Sequence, residues 1–157
     1  MLVIFDLDGT LADVRHRMHH IRPDPAVDPE TGKKVKRRFD LFHAACVDDG
    51  LIDEVAYFYH KFVNDPDVTV VVLSGRDHAV YDMTVDWFQR NGLPLPDELL
   101  LKQGDQHTPD VEQKRLHADR LEKKYNKPIS MVFEDRDRVV RMWKERGTFV
   151  FNVEQQP

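Results

Sequence analysis

Leu2-Val3-Ile4-Phe5-Asp6-Leu7-Asp8-Gly9-Thr10-Leu11 is an apolar run that stops on two carboxylates placed two positions apart. Four apolar residues without alternation predict a strand buried on both faces, as in parallel sheets. Residues i and i+2 of a strand point to one face, so Asp6 and Asp8 can converge on one site while Leu7 faces away, and Gly9-Thr10 turns the chain. Open α/β sheets bind their ligands at the carboxyl ends of strands, which is where this pair falls. Two carboxylates this close repel each other unless a cation or a shared proton relieves them, and Mg²⁺ is the simplest relief. A carboxylate can also attack phosphorus while a second one protonates the leaving oxygen and later activates water. Asp6 is therefore the expected nucleophile and Asp8 the expected acid/base. Asp-x-Asp-Gly also opens calcium loops, but the twelfth residue from Asp6, where a closing Glu belongs, is Arg17.

Outward from this stretch the chain alternates. Asp40 to Val47, with Asp40 as N-cap, and Asp53 to Val63 have helical spacing, separated by a break at Asp49-Gly50. Val68 to Leu73 predicts a buried strand feeding a loop at Ser74-Gly75-Arg76, which would set Ser74 beside Asp6. A helix from about His78 to Asn91, a short strand Leu99 to Lys102 and a helix from about Asp110 to Tyr125 follow. A strand Ile129 to Phe133 then ends in Glu134-Asp135, ahead of a helix Asp137 to Arg146 and a last strand Thr148 to Val153. Strands separated by helices predict an α/β fold: a doubly wound, Rossmann-like parallel sheet with helices on both faces.

That topology gathers the polar strand ends at one edge. Asp135 can complete an oxygen-only Mg²⁺ shell with Asp6 and a backbone carbonyl, so the expected metal residues are Asp6, Asp8 and Asp135. Ser74 can donate to a phosphoryl oxygen, Lys114 can offset charge on the transition state, and Arg76 can grip phosphate with its planar fork. Taken singly, a Ser-Gly turn, a solvated helix lysine and a helix-capping Asp are the ordinary explanations. Taken together, four segments supply the right chemical types in one place.

At 157 residues the chain is one domain's worth, with about 14–50 forming a short basic insertion. A net charge of −5 argues against a generally basic coat for nucleic acid. The single cysteine, Cys46, excludes an internal disulfide, reads as a small buried hydrophobe and fits a reducing cytoplasm. No membrane span or signal peptide is expected, since no apolar run reaches about eighteen residues and Met1 leads straight into the first strand. The insertion carries Arg15, Arg17, Arg22, Lys33, Lys34, Lys36, Arg37 and Arg38, a candidate contact for a phosphate backbone, or else a solvated loop. His16, His19 and His20 offer nitrogen ligands, which suit Mg²⁺ poorly.

The motifs Asp6-Leu7-Asp8-Gly9-Thr10, Ser74-Gly75-Arg76, Lys114 and Glu134-Asp135 resemble those of the haloacid-dehalogenase (HAD) superfamily of phosphohydrolases. Ser74-Gly75-Arg76, the Asp110 to Lys114 spacing and Phe133 to Trp143 are most similar to the 3′-phosphatase domain of phage polynucleotide kinase/phosphatases. The resemblance implies an HAD-like fold with a small cap or none, and an open crevice suited to a polymer end. It implies the nucleophile at Asp6, the acid/base at Asp8, a metal ligand at Asp135, and phosphate or substrate contacts at Thr10, Arg17, Arg76, Asp110 and Lys114. Glu134 departs from the second aspartate usual in that domain. Gly32-Lys33-Lys34 is not a kinase phosphate loop, so any kinase or ligase activity would come from a separate partner. The expected activity is Mg²⁺-dependent removal of 3′-phosphates from DNA or RNA ends. The rival readings are a nucleotidase or other small-molecule phosphatase, and a phosphate-binding module without turnover.

Overall fold

The computed structural model describes residues 1–104 and 107–154. Seven strands and five α-helices follow in order: β1 (Leu2–Phe5), β2 (Ala12–Asp13), α1 (Phe39–Ala44), β3 (Gly50–Leu51), α2 (Asp53–Val63), β4 (Thr69–Asp77), α3 (Tyr81–Arg90), β5 (Glu98–Lys102), α4 (Asp110–Tyr125), β6 (Met131–Glu134), α5 (Asp137–Glu145) and β7 (Phe149–Asn152). Five of the strands form one sheet in the order β5-β4-β1-β6-β7, every pair parallel. The chain begins in the middle of the sheet and grows outward on both sides, the doubly wound arrangement expected from the alternation of elements.

The parity of β1 divides the core. Val3 and Phe5 pack on one face with Tyr59 of α2 and Trp87 and Phe88 of α3. Leu2 and Ile4 pack on the other with Ala118 and Leu121 of α4 and Val139, Met142 and Trp143 of α5. Each fully buried large side chain contributes about 1.5–3 kcal/mol of transfer free energy, so helix cover on both faces is what the unbroken apolar run requires. Phe5, Phe133 and Phe151 stand in register on β1, β6 and β7 and stack at 4.4 and 4.6 Å between centroids. Cys46 is buried and unpaired. No helix among the described residues is long and apolar enough to cross a membrane.

Five features differ from expectation. Ser74-Gly75-Arg76 lies inside β4, because pairing with β5 resumes at Asp77 and Lys102 after an irregularity beyond Leu73. Asp40 sits in the first turn of α1 and caps nothing; its carboxylate instead accepts from Arg38 Nε and Nη2 at 3.0 and 2.7 Å. The turn Ala45–Asp48 tightens into 3₁₀ geometry, as does His78–Val80 ahead of α3. Gly50, read with Asp49 as a break, instead opens β3, which pairs antiparallel with Ala12-Asp13 and brings Asp49 alongside the loop that follows β1.

Candidate active site

Asp6 has the same parity as Leu2 and Ile4, so its side chain belongs to the α4/α5 face of the sheet. Its N–H donates to the Phe133 carbonyl at 2.9 Å, carrying the β1–β6 pairing one residue past β1. Beyond it the N–H groups of Thr10, Leu11 and Ala12 all converge on the Leu7 carbonyl at 2.9–3.2 Å, and Leu7 itself is fully buried. This tight curl needs Gly9 at φ +87°. A Cβ there would also lie 2.2 Å from Asp135 Oδ2, so the loops after β1 and β6 can touch only because residue 9 has no side chain. Thr10 Oγ1 donates to Asp6 Oδ2 at 3.1 Å.

Lys114, on the first turns of α4 and only 3% exposed, reaches across this face. Its Nζ donates to Asp6 Oδ1 at 2.6 Å and to Glu134 Oε2 at 2.7 Å, with Asp110 Oδ2 at 3.9 Å. Burial opposes its charge, but Asp6, then Glu134 and Asp110, outweigh that and hold it firmly protonated. Burial, followed by the charge of Glu134, pushes Asp6 up to about 7 against the pull of Lys114 and Arg136. Burial, followed by the charge of Asp6, pushes Asp135 up to about 7 as well. Asp6, Glu134 and Asp135 each offer a carboxylate oxygen, all within 4.8 Å of one another. Glu134 spends Oε2 on Lys114, and Oε1 accepts from the Arg136 N–H at 3.3 Å. Asp135 Oδ1 is buried with no hydrogen-bond partner. An orphaned buried oxygen beside a second carboxylate, in an all-oxygen donor set, fits a hard divalent cation such as Mg²⁺.

Asp8 faces a different environment. Its Oδ1 accepts from Arg17 Nη2 at 2.8 Å and from Arg76 Nε at 2.8 Å. Both guanidinium groups also meet Asp49: Arg17 through Nε and Nη2 at 2.7 Å each, Arg76 through Nη2 at 2.6 Å. Arg17 Nη1 donates to the Phe42 carbonyl at 3.0 Å and Arg76 Nη1 to Thr84 Oγ1 at 3.1 Å. The Phe42 ring lies 4.0 Å from the Arg17 guanidinium carbon. Burial would raise Asp8, but Arg76 and then Arg17 outweigh it and hold its carboxyl down at about 2. The four charges sum to zero, which is how two arginines with no exposed side-chain surface remain inside the protein.

The expected residues therefore fall into two groups. Asp6, Thr10, Lys114 and Asp135 meet at the end of β1. Asp110 joins them from the start of α4, where Gly75 leaves room for its carboxylate to approach β4, Oδ1 lying 3.1 Å from a Cβ placed there. Ser74 is buried at the same edge, and its Oγ accepts from the Arg76 N–H at 3.1 Å, leaving the hydroxyl proton to donate elsewhere. The carboxylate of Asp8 stands outside the acidic cluster because two arginines occupy it. Arg17 and Arg76, expected to grip substrate, are instead fully buried and committed to carboxylates. Asp49 and Arg136 escaped the sequence reading. In sequence Asp49 marks only the break at Asp49-Gly50, and no local pattern shows that a carboxylate will meet two distant arginines. His16 Nε2 also joins Asp49, at 2.8 Å. Lys33, Lys34, Lys36 and Arg37 are exposed on the segment between His20 and α1.

Residues 30–156 match the family model for the polynucleotide kinase PNKP phosphatase domain. Among solved structures, the fold is similar to a chain of the Pnkp1/Rnl/Hen1 RNA repair complex, with a TM-score of 0.73 and 24% identity over 98% of this chain and 42% of that one. A haloacid-dehalogenase-like hydrolase from Streptococcus pneumoniae is similar at a TM-score of 0.62 and 13% identity, covering 99% of this chain and 87% of that one. An HAD-family enzyme from Bacteroides thetaiotaomicron, in complex with magnesium and inorganic phosphate, is similar at a TM-score of 0.52 and 12% identity, covering 99% and 96%. The present chain spans less than half the length of the Pnkp1/Rnl/Hen1 chains it resembles. Among curated proteins none matches. The family match takes in most of the sequence and runs from the basic segment through the lysine helix to the Glu134-Asp135 strand end, and by it the chain belongs to the HAD-like phosphatase domains of the PNKP polynucleotide kinase family.

Proposed function

We propose that the protein is a Mg²⁺-dependent phosphomonoesterase that removes 3′-phosphates from nucleic-acid ends through an aspartyl-phosphate on Asp6. The observation that carries this reading is the buried carboxylate of Asp6 at the end of β1, held at 2.6 Å by Lys114 and facing Asp135 within one acidic cluster. Asp6 attacks phosphorus, the ester P–O bond breaks, and the departing 3′-oxygen takes a proton from water, because Asp8 rests ionised between Arg17 and Arg76 and enters as the base of the second half. Water then attacks the phosphoryl group, passes a proton to Asp8, and the bond to Asp6 breaks. Ser74 and Lys114 donate to the phosphoryl oxygens as charge spreads over them. Asp6, Asp135 and the backbone carbonyl of Asp8 would hold Mg²⁺, which when bound neutralises charge between the carboxylates and the phosphoryl group.

The cation is expected to show itself without turnover. At a hundredfold excess over its Kd, Mg²⁺ should stabilise the fold by about 2.7 kcal/mol, roughly 5–10 °C in Tm at this size. The shift should shrink at pH 5. Asp6 and Asp135 hold protons up to about 7, so at low pH the ion must displace them. Thermal melts of Asp135→Asn should show no Mg²⁺ shift; an undiminished shift would move the ion elsewhere.

The polymer substrate is supported by the family match and by the exposed Lys33, Lys34, Lys36 and Arg37, whose segment is tethered beside Arg17 by the Arg38 N–H donating to the His20 carbonyl at 2.8 Å. Phosphate release should be compared for oligonucleotides bearing a 3′- or a 5′-phosphate and for a 3′-mononucleotide, at rising salt. Preference for the 3′-phosphorylated oligonucleotide, with affinity falling steeply as salt rises, is the expected result. Preference for the mononucleotide with a flat salt response would favour a nucleotidase. Absence of any turnover would favour a binding module.

A further inference from the structure

Neither arginine expected to grip phosphate is free to do so. Arg17 and Arg76 have no exposed side-chain surface, and each of their guanidinium groups is bonded to Asp8 and Asp49. Neither can present a fork to a ligand without leaving buried carboxylates unpaired.

Arg136 differs in each respect. It follows Asp135 directly, and its carbonyl accepts from the N–H groups of Val139 and Val140 at 2.9 Å, so its backbone is fixed as the N-cap of α5. Its side chain is 43% exposed. Nη1 donates to Asp110 Oδ2 at 3.1 Å, while Nε and Nη2 have no partner among the described residues. Its charge is felt at Asp6 and at Asp135. A chain of contacts leads outward from the nucleophile: Asp6 to Lys114 at 2.6 Å, Lys114 to Asp110 at 3.9 Å, Asp110 to Arg136 at 3.1 Å. Lys114 therefore flanks the transferring phosphoryl group, and Arg136 stands one charged layer farther out, at the rim.

We infer that Arg136 binds the phosphodiester next to the terminal phosphate, so that it recognises the polymer rather than the reacting group. The inference rests on the proposed nucleic-acid substrate. A planar fork with two donors to spare, anchored on one side by Asp110, matches the two free oxygens of a backbone phosphate.

The test compares wild type, Arg136→Gln and Arg136→Lys on a 3′-phosphorylated oligonucleotide and on an aryl phosphate, which has no neighbouring phosphodiester. Arg136→Gln should raise KM for the oligonucleotide about tenfold more than KM for the aryl phosphate, the size of one lost charge-assisted contact. It should also flatten the log–log salt dependence of oligonucleotide binding by about 0.7, one single-strand phosphate contact. Arg136→Lys should restore that slope while recovering only part of the KM. Equal KM increases on both substrates would assign Arg136 to the reacting phosphate, and unchanged kinetics would return it to a rim salt bridge; either outcome overturns the inference alone. A wild-type enzyme that hydrolyses the aryl phosphate but ignores the oligonucleotide would overturn the proposed function as well.

Discussion

Asp6→Asn is expected to lower kcat by at least about 10⁴-fold, because an amide cannot form the acyl phosphate on which both half-reactions depend. The fold should survive. Lys114 keeps Glu134 Oε2 at 2.7 Å, and the pressure that lifts Asp6 to about 7 is burial followed by repulsion from Glu134, both of which the neutral amide relieves. The melting temperature should therefore hold or rise at pH 7 while activity disappears, the pattern of a site that trades stability for chemistry. Single-turnover phosphate release and a thermal melt on the same preparation check both halves. Activity within tenfold of wild type would exclude Asp6 as nucleophile.

Asp49→Ala is expected to cost about 3–5 kcal/mol of folding stability, a large share of the roughly 5–15 kcal/mol that holds a typical domain together. Asp49 compensates two guanidinium groups that have no access to water, so its loss leaves three charges where four had balanced. Urea unfolding should show the midpoint falling steeply. Asp40→Ala, which breaks the solvent-exposed Arg38 pair, should barely move it. A comparable small change for both would mean that Arg17 and Arg76 find other partners. Asp8 contributes in the same cluster with a definite pH sign. Its folded value, about 2, lies below its ordinary 3.8, so its pairing stabilises the fold above about pH 4 and is lost as the pH falls toward 2.

The sheet and its helices were legible because local signals agreed. The unbroken apolar runs could only be strands with both faces covered, and the periodicity from Asp110 to Tyr125 matched α4 to the residue. The gathering of Asp6, Ser74, Glu134 and Asp135 at one edge was legible for the same reason, since topology alone brings parallel strand ends together. What escaped was set by long-range pairing. Arg17 and Arg76 look like phosphate ligands when only their types and positions are known. Their commitment to Asp8 and Asp49 depends on β2 and β3 meeting and on Trp87 Nε1 holding the Asp49 carbonyl at 2.7 Å, contacts that no window of sequence displays. Ser74-Gly75-Arg76 looked like a loop because glycine breaks the β pattern, yet β5 continues pairing past it.

The contact of Gly9 with Asp135 has a consequence for how the protein assembles. The two residues come from opposite ends of the sequence and meet only when β6 pairs with β1, a non-local step in building a parallel sheet. A nascent or partly unfolded chain still displays the whole Asp6 to Leu11 stretch but has no place for an ion. An ion held there would thus report whether β6 is seated on β1, and a chain that opens at β6 would lose the ion site while the rest of the sheet could still stand.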